Sequence, residues 1–184
     1  MNQRVATIRA QNDRFPMKLT SIENLARALN DAGVPYVVVG GLAVVAHGYG
    51  RQTQDVDVVI RLEPEPIHAA FAALASLGYH PRVPVTADTL ADPSLRAALL
   101  RDRAMVVLPF HSELHHETPV DLFTFEPFEF ASEHAAAMVV ELTAGVPVRI
   151  VRLETLLRMK RESDRPQDRA DIVELTAIHR ASNE

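Results

Sequence analysis

Two carboxylates two residues apart carry the first chemical signal in this chain. Asp55 and Asp57 lie in Asp55-Val56-Asp57-Val58-Val59-Ile60, an otherwise aliphatic run. On a strand, residues i and i+2 project from one face, so these side chains stand side by side among apolar neighbours. Two ionised carboxylates held that way repel each other and lose hydration, a cost of roughly several kcal/mol unless something compensates. A divalent cation is the natural compensation. Closely spaced hard oxygen ligands suit Mg²⁺, which keeps part of its water shell and takes substrate phosphates as further ligands. Upstream, Val37-Val38-Val39-Gly40-Gly41 reads as a buried strand running into a glycine turn and a helix. Backbone N–H groups at such a turn can meet phosphate, because no Cβ blocks the approach. Carboxylates suited to a metal, next to a phosphate cradle, indicate phosphoryl or nucleotidyl transfer.

A third candidate is Asp121, in Pro119-Val120-Asp121-Leu122-Phe123-Thr124-Phe125. A lone Asp in an apolar strand is more often functional than a satisfied core residue, since its burial is expensive. The Gly-Gly turn, the helix after it and the Asp-x-Asp strand resemble the signature of the polymerase-β-like nucleotidyltransferase superfamily. Arg51-x-Thr53-x-Asp55-Val56-Asp57 is similar to the form found in its small bacterial branch, which includes AbiEii-type toxins and antibiotic nucleotidyltransferases. The resemblance covers roughly residues 20 to 175. It implies an α/β (α+β) fold, a nucleotidyltransferase-type mixed β-sheet with helices packed on it, and a third carboxylate on a later strand, which Asp121 supplies. It also implies two Mg²⁺ ions with a nucleoside triphosphate as co-substrate. Asp55 and Asp57 would hold one ion with the donor triphosphate. Asp57 and Asp121 would flank a second that serves the acceptor hydroxyl. In such sites the ions lie about 3.5–4 Å apart. Many relatives have Gly-Ser where this chain has Gly40-Gly41, so a hydroxyl able to reach phosphate is absent here.

Other residues are assigned more loosely. Arg51 and Thr53 precede the carboxylate strand and are expected to reach phosphate or orient Asp55. Lys160-x4-Arg165-x2-Asp168-x2-Asp171 resembles the basic turn and Asp-x-x-Asp helix start of AbiEii-like proteins. There Lys160 is expected to neutralise the triphosphate or face the base. Asp168 and Asp171 are read as structural, capping the last helix or pairing with Arg165 or Lys160. His111, His115 and His116 invite a zinc reading, but their spacing departs from His-Glu-x-x-His and prolines flank them, so a solvated loop is the better account. His47 is expected to pack rather than catalyse.

The elements that must position these residues follow from pattern. Thr20 or Ser21 is expected to cap a helix through Leu25 and Leu29, ended by Gly33. Strands are expected at 34–39 and 55–62, with a short helix over 42–47 between them. Glu63-Pro64-Glu65-Pro66 starts a helix to Leu77, closed by Gly78. Residues 81–103 read as loop with a helix near 93–100. Strands follow at 104–108 and 120–125, a hairpin at 138–142 and 146–151 around Ala144-Gly145, and helices at 154–160 and 167–180. The division expected is an N-terminal extension over 1–19, a nucleotidyltransferase core over 20–151 and a C-terminal helical segment over 152–184. A strand-helix-strand opening with later adjacent strands fits one mixed sheet.

Composition narrows the rest. The 184 residues, 47% of them hydrophobic, can bury one substantial core. No apolar stretch is long enough to span a bilayer, and no h-region follows the first residues. The absence of cysteine excludes disulfides and thiolate zinc sites and fits a cytoplasmic protein. The net charge of −5 argues against a uniformly basic nucleic-acid surface. Two local segments are nonetheless basic: Arg4, Arg9, Arg14 and Lys18 near the start, and residues 149–169. With the family resemblance, these lead to an AbiEii-like toxin that modifies RNA, tRNA in particular, and is restrained by an antitoxin protein. The alternatives are a small-molecule nucleotidyltransferase, whose cationic acceptor would suit the acidic chain, and a non-catalytic nucleotide-binding module of the same fold. Phe123, Phe125, Phe128 and Phe130 are read as core rather than interface.

Overall fold

The computed structural model describes residues 17–181; Arg4, Arg9 and Arg14 lie outside the described residues. The chain runs through α1 (Leu19–Asp31), β1 (Tyr36–Val38), α2 (Gly40–Ala46), β2 (Val56–Ile60), α3 (Pro64–Ser76) and β3 (His80–Pro81). It continues through α4 (Ala87–Ala91), α5 (Pro93–Arg103), β4 (Val107–His111), β5 (Val120–Phe123) and α6 (Phe130–Ala136). β6 (Met138–Thr143), β7 (Val146–Ile150), α7 (Leu153–Ser163) and α8 (Pro166–Ala181) complete it. The seven strands form one sheet in the order β3-β4-β5-β2-β1-β7-β6. β2 runs parallel to β5 and β1 parallel to β7; the other pairs are antiparallel. This is the mixed sheet expected from the sequence, with helices packed on it.

Valine and isoleucine dominate the central strands because their branched side chains pack well on a pleated, buried surface. Val37, Val38, Val39, Val58, Val59 and Ile60 are all buried. α1 lays Ile22, Leu25, Ala26 and Leu29 against Tyr36, Val38, Val56, Val58 and Val148. α2 is apolar all round, with Leu42 to Ala46 fully buried. It packs on β2 and against α7. A helix buried on every side is held by tertiary contacts rather than by its seven-residue length.

The outer strands alternate instead. Leu108 and Phe110 of β4 and Val120 and Leu122 of β5 are buried, while Val107, Pro109, His111, Asp121 and Phe123 are half-buried. The register sets Pro109 opposite Asp121 and Val107 opposite Phe123. One face of this half-sheet is therefore core. The other is an open floor carrying Asp121.

Several boundaries differ from the sequence reading, each for a local reason. α1 begins at Leu19 after Lys18, without a side-chain cap. The Ser21 hydroxyl lies instead 2.8 Å from His115 Nδ1. β4 starts three residues later than expected, because Ala104 closes α5 in the left-handed region at φ 48°. α4 is set by Thr86, whose Oγ1 accepts from Thr89 N–H. α6 had no expected counterpart. Its cap is Glu129, whose carboxylate accepts the N–H groups of Ala131 and Ser132, and Glu is outside the usual capping set. Phe130 is buried at the start of this helix, and Phe128 and Phe123 pack against the same core. Among the described residues no helix is long and apolar enough to cross a membrane.

Candidate active site

The site is built where β2 and β5 run side by side. Their parallel register sets Asp57 directly beside Asp121. Parallel neighbours lie about 4.8 Å apart across the sheet, so the two carboxylates share one face at close range. Asp55 lies just before β2 and, two residues from Asp57, belongs to the same face. The backbone of β1 leads straight to this point: Val39 N–H donates to Asp57 C=O at 3.0 Å, and the next residue is Gly40.

The three carboxylates repel one another. Burial first, then the charges of Asp55 and Asp121, push the Asp57 carboxyl up to about 7. The Gly41 backbone N–H donates to this carboxylate and, with the Arg165 charge, offsets part of the rise. Asp121 is also raised, by its burial and by Asp55, and Arg82 opposes the shift. A strand pair holding more negative charge than its surroundings neutralise is the donor set a hard divalent cation needs. Among the described residues, no three His, Asp or Glu side chains are already drawn together as a closed metal cage. The carboxylates share a face, and substrate oxygens would have to complete any coordination there.

The glycine pair is required by the protein's own side chains. At Gly40 φ is +61°, and a Cβ there would sit 1.8 Å from Asp57 Oδ2. A Cβ at Gly41 would lie 2.1 Å from Thr53 Oγ1. The turn is therefore pressed against Asp57 and Thr53, and the space freed by the missing side chains is filled by them. Thr53 is buried, with its hydroxyl 3.5 Å from Asp55 Oδ1.

Lys160 and Arg51 occupy a different environment from the one expected. Lys160 is buried, with Nζ 2.9 Å from Asp168 Oδ1 and 2.7 Å from Asp171 Oδ2. Arg51 meets Asp171 through two bonds, Nε at 2.7 Å and Nη2 at 3.0 Å, and its Nη1 donates to Gln52 C=O. Gln167 Nε2 adds a further donor to Asp171 at 3.1 Å. Both cations are thus committed to carboxylates of α8, and neither presents a free head to a triphosphate. Asp168 and Asp171 have the structural pairing read from their spacing. This network ties the Arg51–Thr53 loop to α7 and α8.

The sequence reading overlooked the cation that does face the carboxylates. Arg165 lies between α7 and α8, its side chain 73% exposed. It donates to Asp168 at 2.8 Å, and its charge couples to Asp55 and Asp57. Arg82 approaches Asp121 from the β3 side, its Nη2 3.4 Å from His111 Nδ1. Arg165 belongs to the basic turn noted in the sequence and Arg82 to no motif; only the fold brings them near the carboxylates. The histidines are dispersed over separate partners. His111 meets Glu113, His115 meets Ser21 and stacks on Tyr79, and His116 meets Glu117. His47 is buried with Nε2 2.8 Å from Val151 C=O, a packing role as expected.

No family model matches the chain, and no curated protein sequence matches it. Solved structures do. One is the crystal structure of the nucleotidyltransferase ANT(2'')-Ia in complex with adenylyl-2''-tobramycin: TM-score 0.54, 16% identity, 88% of each chain covered. Another is the solution structure of the same antibiotic-resistance factor: TM-score 0.52, 16% identity, 90% of this chain and 92% of that one covered. At this identity the likeness establishes the fold, a nucleotidyltransferase fold spanning nearly the whole chain.

Proposed function

We propose that the chain is a Mg²⁺-dependent nucleotidyltransferase that moves a nucleoside monophosphate from a nucleoside triphosphate to a hydroxyl of a small, cationic acceptor. The observation that carries this reading is the in-register pair Asp57–Asp121 on parallel strands, with Asp55 on the same face at the mouth of a glycine turn. Asp55, Asp57 and Asp121 would hold the two ions. Bound there, the ions would neutralise the triphosphate and lower the pKa of the acceptor hydroxyl.

The chain's own residues do the positioning. Gly41 N–H fixes the Asp57 carboxylate, and Thr53 stands beside Asp55. Arg165 is exposed and coupled to both carboxylates, so it is the cation available to the triphosphate. The open floor of β4 and β5, with Phe123 two residues beyond Asp121, borders the place where the acceptor would lie. As the acceptor oxygen bonds to the α-phosphorus, the bond to the β-phosphate oxygen breaks and pyrophosphate leaves. Holding these groups in line accounts for most of the protein's share of such catalysis.

A small acceptor is favoured over RNA by the charge arrangement. The basic C-terminal segment is largely neutralised in place: Arg152 by Glu133, Arg158 by Glu162, Arg169 by Asp164 and Lys160 by two aspartates. Lys18, from the basic N-terminal segment, pairs with Glu117. Paired charges release few counterions and make a poor phosphate-tracking surface. The net charge of −5 suits a polyamine-like or aminosugar acceptor. The solved neighbour bound to an adenylylated antibiotic supports the same class. The toxin reading, with its RNA acceptor and antitoxin, has no comparable support.

The test is transfer of label from each α-labelled nucleoside triphosphate, with Mg²⁺, to aminosugars and to total RNA, in wild type and Asp57→Asn. Label on an aminosugar, absent in Asp57→Asn, is the expected result. Label on RNA alone would replace the acceptor class. No Mg²⁺-dependent triphosphate binding by calorimetry would remove the enzymatic reading altogether.

A further inference from the structure

The strand ladder carries a row of residues outward from the carboxylates. Asp57 stands beside Asp121, and Asp121 stands opposite Pro109. On the far side of β4, His80 stands opposite His111 and Pro81 opposite Phe110. Arg82 is the next residue on that ladder, and its backbone N–H donates to Pro109 C=O at 2.8 Å. The row therefore reads Asp57, Asp121, Pro109, Arg82. Opposed residues share a face of the sheet, as do residues two apart along a strand. Pro109 and His111 thus belong to the open floor with Asp121, while Leu108 and Phe110 are buried behind it. The Arg82 side chain lies on this floor, because its Nη2 is 3.4 Å from His111 Nδ1. At about 4.8 Å per strand, the backbones of Arg82 and Asp121 are about 10 Å apart, with the half-buried Pro109 between them.

Arg82 is held in place yet uncommitted. Among the described residues no carboxylate pairs with it, whereas Arg51, Arg152, Arg158 and Arg169 each meet one. Its partner His111 is oriented from the other side, with Nε2 2.9 Å from Glu113 Oε1. A carboxylate oxygen accepts, so Nε2 carries the proton and Nδ1 is the bare nitrogen that faces the guanidinium. A guanidinium has several further N–H donors in a planar fork, and here they open onto the floor. The side of the site matters too. The glycine turn and Arg165 approach the carboxylates from α2 and from between α7 and α8, where the triphosphate is placed. Arg82 comes from the opposite edge, and its charge acts on Asp121.

We propose that Arg82 orients the acceptor and selects which of its edges reacts. Its guanidinium donates to an acceptor oxygen next to the reacting hydroxyl, a neighbouring hydroxyl or a ring oxygen, and it repels ammonium groups from that edge. The acceptor then lies over Pro109, with its reacting hydroxyl at Asp121 and its ammonium groups turned away from β3 and β4. The fork geometry suits neighbouring oxygens, and the like-charge contact disfavours the reversed pose. The inference rests on the nucleotidyl-transfer reading with an aminosugar-type acceptor and adds a residue to it.

The test compares wild type with Arg82→Gln, Arg82→Lys and Arg82→Glu, using the aminosugars that wild type labels from an α-labelled triphosphate with Mg²⁺. Arg82 is exposed, so each variant is expected to fold as wild type does. Arg82→Gln should raise the acceptor KM about 10-fold, the loss of a hydrogen bond from a charged donor. Calorimetric binding of the Mg²⁺-triphosphate should stay unchanged. Arg82→Lys should recover part of the KM, since it restores the charge without the fork. Arg82→Glu should move the label, located by NMR of the product, to hydroxyls flanked by ammonium groups. An active wild type whose acceptor KM and labelled position are unchanged in Arg82→Gln and Arg82→Glu would overturn this inference alone. Equal weakening of triphosphate and acceptor would also overturn it, by making Arg82 a donor-side cation. A wild type that labels no aminosugar would overturn the parent reading and this inference together.

Discussion

Gly40→Ala separates a glycine retained for the protein's own carboxylate from one that is merely convenient at a turn. The backbone there has φ +61°, where an L-residue costs about 1–2 kcal/mol. The new Cβ would also fall 1.8 Å from Asp57 Oδ2 and 2.5 Å from Asp57 Cγ, distances that cannot persist. The Asp57 side chain must rotate away, and with it goes the charge-assisted bond from Gly41 N–H, about 1.5–3 kcal/mol. Part of that loss is regained as the carboxylate reaches water, so the total is about 2–4 kcal/mol. The decisive measurement is a double-mutant cycle by urea unfolding, with Gly40→Ala made in wild type and in Asp57→Ala. In the second background the carboxylate is gone and the nearest remaining Asp57 atom, Cβ, stands at 2.9 Å. The cost should then fall towards the backbone strain alone, with a coupling of about 1–3 kcal/mol. Equal costs in both backgrounds, within the ~0.5 kcal/mol of independent sites, would refute the argument. Because the cycle reads stability, it holds whatever the acceptor is.

Four further outcomes follow from the same geometry. Lys160→Met should lower unfolding stability by about 3–5 kcal/mol, because Asp168 and Asp171 are left buried with less compensation; an unchanged urea midpoint with weakened triphosphate binding would restore the substrate role. Arg165→Ala should weaken Mg²⁺-triphosphate binding about 10-fold by calorimetry and shift stability by less than about 1 kcal/mol, since its side chain is 73% exposed. Burial would raise Asp168, but its bonds from Arg165 and Lys160 and the Lys160 charge outweigh that and hold it well below the usual carboxylate range. Its folded value is therefore the lower one: its stabilisation is complete above the unfolded value near pH 4 and fades as pH falls towards the folded one, so acid unfolding of Asp168→Asn should show a shallower slope below about pH 4. Glu133 is likewise buried yet held low by Arg152 and Thr155, and Glu133→Gln should destabilise by about 1–3 kcal/mol, read by thermal melting at neutral pH.

How far the sequence reveals the fold depends on the range of the interactions involved. The central strands and α2 are legible because their apolar runs are long and bounded by glycine and proline, and the glycine turn facing the Asp-x-Asp strand is a motif of neighbours in sequence. Asp121 is legible for another reason: a carboxylate in Val-Asp-Leu-Phe has no cheap structural excuse. α6 and β3 were not legible. One is capped by a Glu, the other is two residues long, and neither leaves a periodic trace. The pairing of Lys160 and Arg51 with carboxylates of α8 was not legible, because sequence spacing cannot distinguish a cation aimed at a ligand from one aimed at a carboxylate 8 or 120 residues away. Those same pairings give the network its meaning. Asp171 accepts from Arg51 while Lys160 Nζ sits 2.7 Å from it, and the Arg51 loop carries Thr53 to Gly41 and to Asp55. The C-terminal helices therefore act on the carboxylate site through the loop between α2 and β2. A chain truncated before α8 would keep Asp55, Asp57 and Asp121 in its sequence and lose the contacts that hold Thr53 and the glycine turn against them.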